Sequence, residues 1–344
     1  MKKFIYLASL LMLFIISSCS NYIDNEQISS SNEKVSNANN GYEHFISTVD
    51  SINTKYASIG QSETRGLLHY TITKKGEKVV DAGGSIVGGW IGKHLGTAVG
   101  ASFGNPVTAA LGYAAGRYAG RAVGGVLASY ACHVLACYAA TKIFRAKAKD
   151  DILGIADTTM CYIPKRDELD TADSIGYVHN KVMEVLSSQT EKYISEAGIN
   201  YDLIYSDCVN LLKEHGISND TITTDATFKE EVIQNAKEMA GLQNAVTDED
   251  SYNTFRDSMI TQVKGCGAPN ETVSLFSDYI LKVSDVCEKL SDEQQVQYAN
   301  ELFKAIDKSW MTNEQKEEAA SSTNVLINSS MYWNHENVKD KTPE

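Results

Sequence analysis

Seven cysteines and seven histidines are the side chains of this 344-residue chain best suited to nucleophilic or metal chemistry. Their spacing supports neither. The histidines are scattered, with no HExxH and no Walker-type loop, and cysteine pairs at the two-residue separation common in zinc sites are missing. Glycines recur from Gly84 to Gly100, but no strand precedes them and Lys93 lacks the following Ser or Thr of a phosphate loop. His179-Asn180 falls on a predicted helix over 174–195 and reads as a structural pair. Cys132 and Cys137, five apart on diverging helix faces about 8 Å or more from each other, read as buried free thiols. Trp310, Tyr332 and Trp333 read as core or docking aromatics. We therefore expect no catalytic residues, no cofactor and no metal, and the enzyme class is set aside.

The elements that position these residues begin with the amino terminus. Lys2 and Lys3 precede a short apolar run, Phe4 to Ile16, which is too short to span a membrane and has the form of a secretory signal. Ile16-Ser17-Ser18-Cys19 resembles the lipobox of bacterial lipoproteins: an aliphatic residue, two small ones and a thiol. That resemblance implies cleavage before Cys19, a diacylglyceryl thioether on its sulfur with fatty-acyl chains such as palmitate, and membrane lipid as the first partner. Ser20 after the cysteine implies an outer-membrane anchor. In an oxidising compartment the six remaining cysteines, Cys132, Cys137, Cys161, Cys208, Cys266 and Cys287, allow disulfides of undetermined connectivity. Ser20 to Gly41 is rich in Ser and Asn and too polar to bury a core, so it reads as a tether.

The net charge of −13 conceals an asymmetry. From Arg65 to Lys149 there are eleven Lys and Arg against Glu77 and Asp81, a net of +9; from Asp150 onward 16 bases face 36 acids, a net of −20. The basic residues are not interleaved with a stacking platform, which argues against nucleic acid. A basic segment suits an anionic membrane or the acidic half of its own chain.

Within the basic segment lies the most unusual spacing of the chain. Gly84, Gly88, Gly92, Gly96, Gly100 and Gly104 stand four apart, and Gly112, Gly116, Gly120 and Gly124 repeat the pattern; 13 of the 24 glycines fall between Gly83 and Gly125. Each interior helical glycine costs about 0.8–1 kcal/mol relative to alanine. Ten of them need compensation of roughly 8–10 kcal/mol, which close backbone approach of a partner helix supplies. Asn105-Pro106 marks a turn, so helices over 81–104 and 106–149 should fold back as a hairpin. Pairing residues equidistant from the turn puts His94 level with Arg117 and Lys93 with Tyr118, about 17–18 Å from the tip. A drift of 40° per four residues predicts that the two ends of the ridge face different neighbours.

Leu95 to Gly116 carries no charge, so the tip could enter half of a 30 Å hydrocarbon core with Lys93, His94, Arg117 and Arg121 at anionic headgroups. Ala122 to Thr141, also uncharged and flanked by bases, meets the minimum for a transmembrane helix. The ladder resembles the glycine-zipper segments of bacteriocins and other membrane-active bacterial proteins. That resemblance covers about 45 of the 344 residues and implies contact with a target membrane or with partner helices.

The acidic half shows helical periodicity in Ile175-Val178-Val182-Leu186, Leu203-Ile204-Leu211-Leu212 and Val273-Phe276-Ile280-Val283. Gly198, Gly216, Gly241 and Gly265 are expected stops; Asp248, Ser291 with Gln294, and Thr312 with Gln315 are expected starts. The expected fold is all-α: a glycine-zipper hairpin followed by an antiparallel bundle of about seven helices. Its segments are a signal over 1–18, a tether with room for a short helix over 19–64, the hairpin over 65–149, the bundle over 150–334 and a polar tail over 335–344. Leu67 to Thr73 is the one weak strand candidate. Two functions follow. In the first, a lipid-anchored envelope protein contacts or enters a membrane through the hairpin, in an antibacterial or pore-forming role. In the second, the protein is structural or a binding module and the hairpin is merely the core of its bundle.

Overall fold

The computed structural model describes residues 31–59, 68–144, 174–217 and 219–334, and these form an all-α protein. In chain order the helices are α1 (Ser31–Ile59), α2 (Leu68–Ser102), α3 (Pro106–Phe144), α4 (Ile175–Ser187), α5 (Tyr201–Glu214), α6 (Asp220–Thr223), α7 (Ala226–Asn244) and α8 (Glu249–Gly265). There follow α9 (Asn270–Ser274), a wider π-type stretch (Leu275–Ile280), α10 (Leu281–Cys287), α11 (Asp292–Lys308) and α12 (Asn313–Asn334). Two-residue strands, β1 (Ile194–Ser195) and β2 (Gly198–Ile199), pair antiparallel after α4. Cys19, Cys161, the polar tail and the three hairpin bases beyond Lys142 (Arg145, Lys147 and Lys149) lie outside the described residues.

Local chemistry sets most helix ends. Ser291 and Gln294 form a reciprocal capping box at α11, Asp248 and Ser251 do so at α8, and Thr312 with Gln315 does so before α12. Gly216 closes α5 in the left-handed conformation that only glycine adopts without strain. The other expected stops differ. Gly198 serves the strand turn, Gly241 sits inside α7 with open space beside it, and Gly267 rather than Gly265 takes the left-handed position after α8. The weak strand candidate at Leu67–Thr73 is helical from Leu68 onward, as the first turns of the helix that carries Val79 and Val80 into the core.

The hairpin does not stand beside the bundle as a separate unit. Its open end is the centre of the molecule: α7 packs on both α2 and α3, α12 lies along α2, and α4 lies against α3 and α12. Val79, Val80, Ile86, Val123, Val126, Leu127 and Tyr130 join one continuous core with Phe228, Met259, Phe276 and Trp333. The expected boundary at Asp150 lies outside the described residues, and the helices described on either side of it share one core. Ala122–Thr141, the transmembrane candidate, is buried among these helices from Ala122 to Val134. Among the described residues one helical stretch, Pro106–Ala139, is long and apolar enough to cross a membrane, and most of it is covered by protein. The tether expectation also fails from Ser31 onward. There α1 forms and lays Phe45, Val49 and Tyr56 onto the core, while Tyr298 donates to Asn53 at 2.5 Å. The apolar positions 45, 49, 52 and 56 carry a helical stripe that the polarity of the preceding segment masked.

Candidate membrane-contact site

The two glycine ladders face each other. Gly84 meets Gly124, Gly88 meets Gly120, Gly92 meets Gly116 and Gly96 meets Gly112, and in each case a Cβ would overlap the partner's carbonyl oxygen. Gly100 takes the same role against Thr108 and Ala109, which stand where the second ladder has no glycine. One partner thus follows the ridge over five rungs, so the helices wind about each other and the expected change of neighbour does not occur. Gly104 is not a rung. It sits in the turn at φ +70° with nothing near its α-carbon, and the hairpin is centred on it. That centre shifts the register: the paired numbers place Lys93 level with Ala115, and Arg117 level with Ile91, three residues from the expected alignment.

The cations sit differently from expectation. Arg117 and Arg121 are 3 % and 1 % exposed, and both donate to the buried Glu318 carboxylate. Glu317 lies 3.4 Å from Arg121 and 3.6 Å from Arg117, and Ser321 accepts from Arg121 at 2.6 Å. Lys93 donates to Glu314 at 3.0 Å, with its ammonium 3.5 Å from the centre of the Trp90 ring. Lower in the hairpin, Lys78 pairs with Glu288 at 2.8 Å. Burial alone would raise the Glu318 carboxyl, but the Arg121 and Arg117 guanidiniums outweigh it and hold that group below the usual carboxylate range. Burial pulls the Lys93 ammonium down, with Glu314 opposing. Anionic lipid is thus not what Arg117 and Arg121 meet; acids on α12 already neutralise them. Of the four expected lipid-contact bases only His94 is exposed.

Beyond these pairs the hairpin leaves the bundle. Residues 101–107 are all exposed, and Phe103, Val107 and Leu111 present 74 %, 48 % and 44 % of their surfaces to solvent. From the last rung into the exposed tip the chain reads Gly100-Ala101-Ser102-Phe103-Gly104, which is also the spacing of a nucleophile elbow. That motif needs a strand before its serine, whereas Ser102 ends α2 and donates to the Val99 carbonyl at 2.6 Å.

At the neck, where the tip emerges, a cleft of about 480 Å³ is lined by Tyr42, Trp90, Lys93, Arg117, Glu271 and Glu314, with Glu318 behind them. The Tyr42 hydroxyl, the Trp90 indole N–H and one Glu318 carboxylate oxygen are buried there without a hydrogen-bond partner. Burial raises the Tyr42 phenol, so it stays a neutral donor.

Sequence reasoning found the start of α12 at Thr312 but missed that its polar face is buried. Ser321, Ser322, Thr323, Asn324, Asn328, Ser329 and Ser330 are all at most 1 % exposed. Asn324 accepts from the Gly176 N–H at 2.7 Å, and Asn180 donates to the Asn328 carbonyl at 2.9 Å. Ser329 and Trp333 donate to the buried Asp81 carboxylate, whose other neighbour, His179, lies 3.7 Å away. The serine bonds the carboxylate and not the imidazole, so these groups are a structural network. The signal available was the four-residue spacing of Asn324 and Asn328 among small residues, the polar counterpart of the glycine ladder. Trp333 and Tyr332 are core, whereas Trp310 is 70 % exposed and stacks on His44 at 4.9 Å.

Five of the cysteines are free thiols: Cys132, Cys137, Cys208, Cys266 and Cys287. Cys137 Sγ lies 3.7 Å from His133 Nε2, but burial pushes that imidazole down to about 4, so it is neutral near pH 7. Among the described residues no group of three His, Cys, Asp or Glu could hold a metal ion. No family model, no curated protein and no solved structure matches the chain.

Proposed function

We propose that this chain is a lipid-anchored lipoprotein of the outer membrane whose glycine hairpin contacts or enters a membrane through its tip. The observation that carries the reading is the tip itself: an uncharged, two-helix projection exposing Phe103, Val107 and Leu111 beyond a buried ring of ion pairs. Water is a poor solvent for such a surface, since burying a large apolar side chain is worth about 1.5–3 kcal/mol. Trp90, Tyr113 and Lys93 at the neck have the composition of a membrane interface, where amphipathic rings and long basic stems gather. The acidic α12 neutralises the hairpin cations, so apolar burial and not charge attraction would drive the contact. The second reading, a hairpin that serves only as core, draws support from the burial of its open end.

Phe103→Asp separates the two. It removes an exposed ring and introduces a charge that costs about 2.5–3.5 kcal/mol inside hydrocarbon. Vesicle binding by the intact protein should fall about a hundredfold, with no loss of thermal stability. Photolabelling from within the bilayer should reach the wild-type tip and miss the variant. Unchanged binding and an unlabelled tip would leave the core-only reading. For the anchor, Cys19→Ala should abolish palmitate incorporation and move the protein from the membrane fraction to the soluble one. Equal labelling of the variant would remove the lipobox assignment.

A further inference from the structure

We infer that the neck cleft is a binding site for a phosphoethanolamine headgroup, a zwitterion carrying a phosphate and a primary ammonium. The inference rests on the membrane reading of the tip for the source of that group, and on the cleft's own chemistry for its class.

Position comes first. Lys93 stands eleven residues before the hairpin centre at Gly104, roughly 16 Å along the helix. One leaflet of hydrocarbon is about 15 Å deep. A tip buried in one leaflet therefore puts the cleft among the headgroups.

The charge balance selects the headgroup. Lys93 and Arg117 line the cleft together with Glu271, Glu314 and Glu318, so it offers both signs. A simple anion would meet three carboxylates, and a simple cation would meet two bases; a zwitterion meets neither penalty. The donors for its phosphate are unspent. The Trp90 N–H and the Tyr42 hydroxyl have no partner, and the Lys93 ammonium has three protons, one of which goes to Glu314. Trp90 is 6 % exposed, so a partnerless N–H there is costly unless a ligand accepts from it. The acceptors for an ammonium are also present. Glu271 is exposed on α9 and makes no ion pair with any described residue, and one oxygen of the buried Glu318 is unpaired.

The aromatic faces decide between a primary and a quaternary ammonium. A choline group binds by lying over aromatic rings. Here those faces are taken, because the Lys93 ammonium sits 3.5 Å from the Trp90 centre and 4.7 Å from that of Tyr113. Carboxylate oxygens are what remain, and they need N–H donors, which a primary ammonium has and choline lacks.

The test is titration calorimetry of the purified full-length protein, in a detergent free of phosphate, with glycerophosphoethanolamine. Saturable binding is expected, with glycerol 3-phosphate, ethanolamine and glycerophosphocholine each weaker by about tenfold or more, the worth of one charged hydrogen bond. Glu271→Lys, an exposed substitution that should fold normally, should reverse the order and favour glycerol 3-phosphate. Lys93→Met, checked for an unchanged melt, should weaken both phosphates about tenfold. Absence of saturable binding at millimolar ligand, equal binding of glycerol 3-phosphate or glycerophosphocholine, or an unaltered order in Glu271→Lys would each overturn the inference. The lipid source is tested with vesicles of phosphatidylethanolamine against phosphatidylcholine of the same chains. Preference for the former supports it, and indifference with the free headgroup still bound assigns the cleft to a soluble ligand and overturns the lipid. Failure of headgroup binding with a photolabelled tip sinks the cleft alone. Headgroup binding with an unlabelled tip sinks the membrane reading instead.

Discussion

Glu318→Ala should destabilise the protein by about 3–5 kcal/mol, the cost of stranding buried charge. Two guanidiniums, Arg117 and Arg121, converge on this one carboxylate, and all three side chains are at most 4 % exposed. Removing the acid leaves both bases in a medium that cannot solvate them. Glu317 is a poor substitute, since its carboxylate is 40 % exposed and stands 3.4 to 3.6 Å off. Chemical denaturation would read the loss. Glu301→Ala, which breaks the partly exposed pair with Lys55, is the control and should cost no more than about 1 kcal/mol. Equal effects of the two substitutions would mean that the buried cluster is not under the stress its geometry implies.

The same carboxylate makes the protein acid-sensitive. The folded state holds Glu318 below the ordinary glutamate value of 4.5. Its stabilisation is therefore complete above that value and is lost as pH falls through the lower folded one. Glu314, held down by Tyr113 and Lys93 against its own burial, adds in the same direction. Asp81 runs the other way, because burial raises it and a protonated Asp81 suits the fold at low pH. The difference between wild type and Glu318→Gln isolates the Glu318 contribution. It should shrink below about pH 4 and be flat near neutrality. A difference that persists undiminished to pH 2 would be inconsistent with an ionised Glu318 in the folded state.

Gly116→Leu should be at least as damaging, at about 3 kcal/mol or more, because the added atoms meet backbone and not a side chain that can swing away. The carbonyl oxygen and carbon of Gly92 and the α-carbon of Gly96 already occupy the space beside Gly116. Even Gly116→Ala should therefore fall well below wild type in a thermal melt. Gly241→Ala is the contrast. It lies inside α7 with open space at its α-carbon, so the change should stabilise by about 0.8–1 kcal/mol through helix propensity alone. Should Gly116→Leu melt at or above wild type, the interlocked backbones would have no energetic meaning. A protein that tolerates Leu at Gly104 only at the cost of its left-handed φ would further separate turn from ridge.

What the sequence determined by itself was encoded within about four residues, though not every local signal held: Gly241 did not stop α7, and Gly267 rather than Gly265 takes the left-handed position after α8. The all-α class, the capping boxes at Asp248, Ser291 and Thr312, the turn near Asn105-Pro106 and the mutual facing of the two glycine ladders all follow from helical period and cap chemistry. The charge-free tip was legible too, as an interval between Lys93 and Arg117. What the tertiary structure alone decided was which distant groups meet. Arg117 and Glu318 are 201 residues apart, and Lys78 and Glu288 are 210 apart. No local pattern distinguishes an acid that will neutralise a buried arginine from one that will face water. That is why the cations read as lipid contacts and proved to be held by α12. The same reason hid the burial of α12: serine and asparagine at helical spacing look solvent-exposed until a helix with matching glycines and polar partners closes over them. The register followed suit, since a shift of three residues hung on the backbone conformation of Gly104, which spacing does not record.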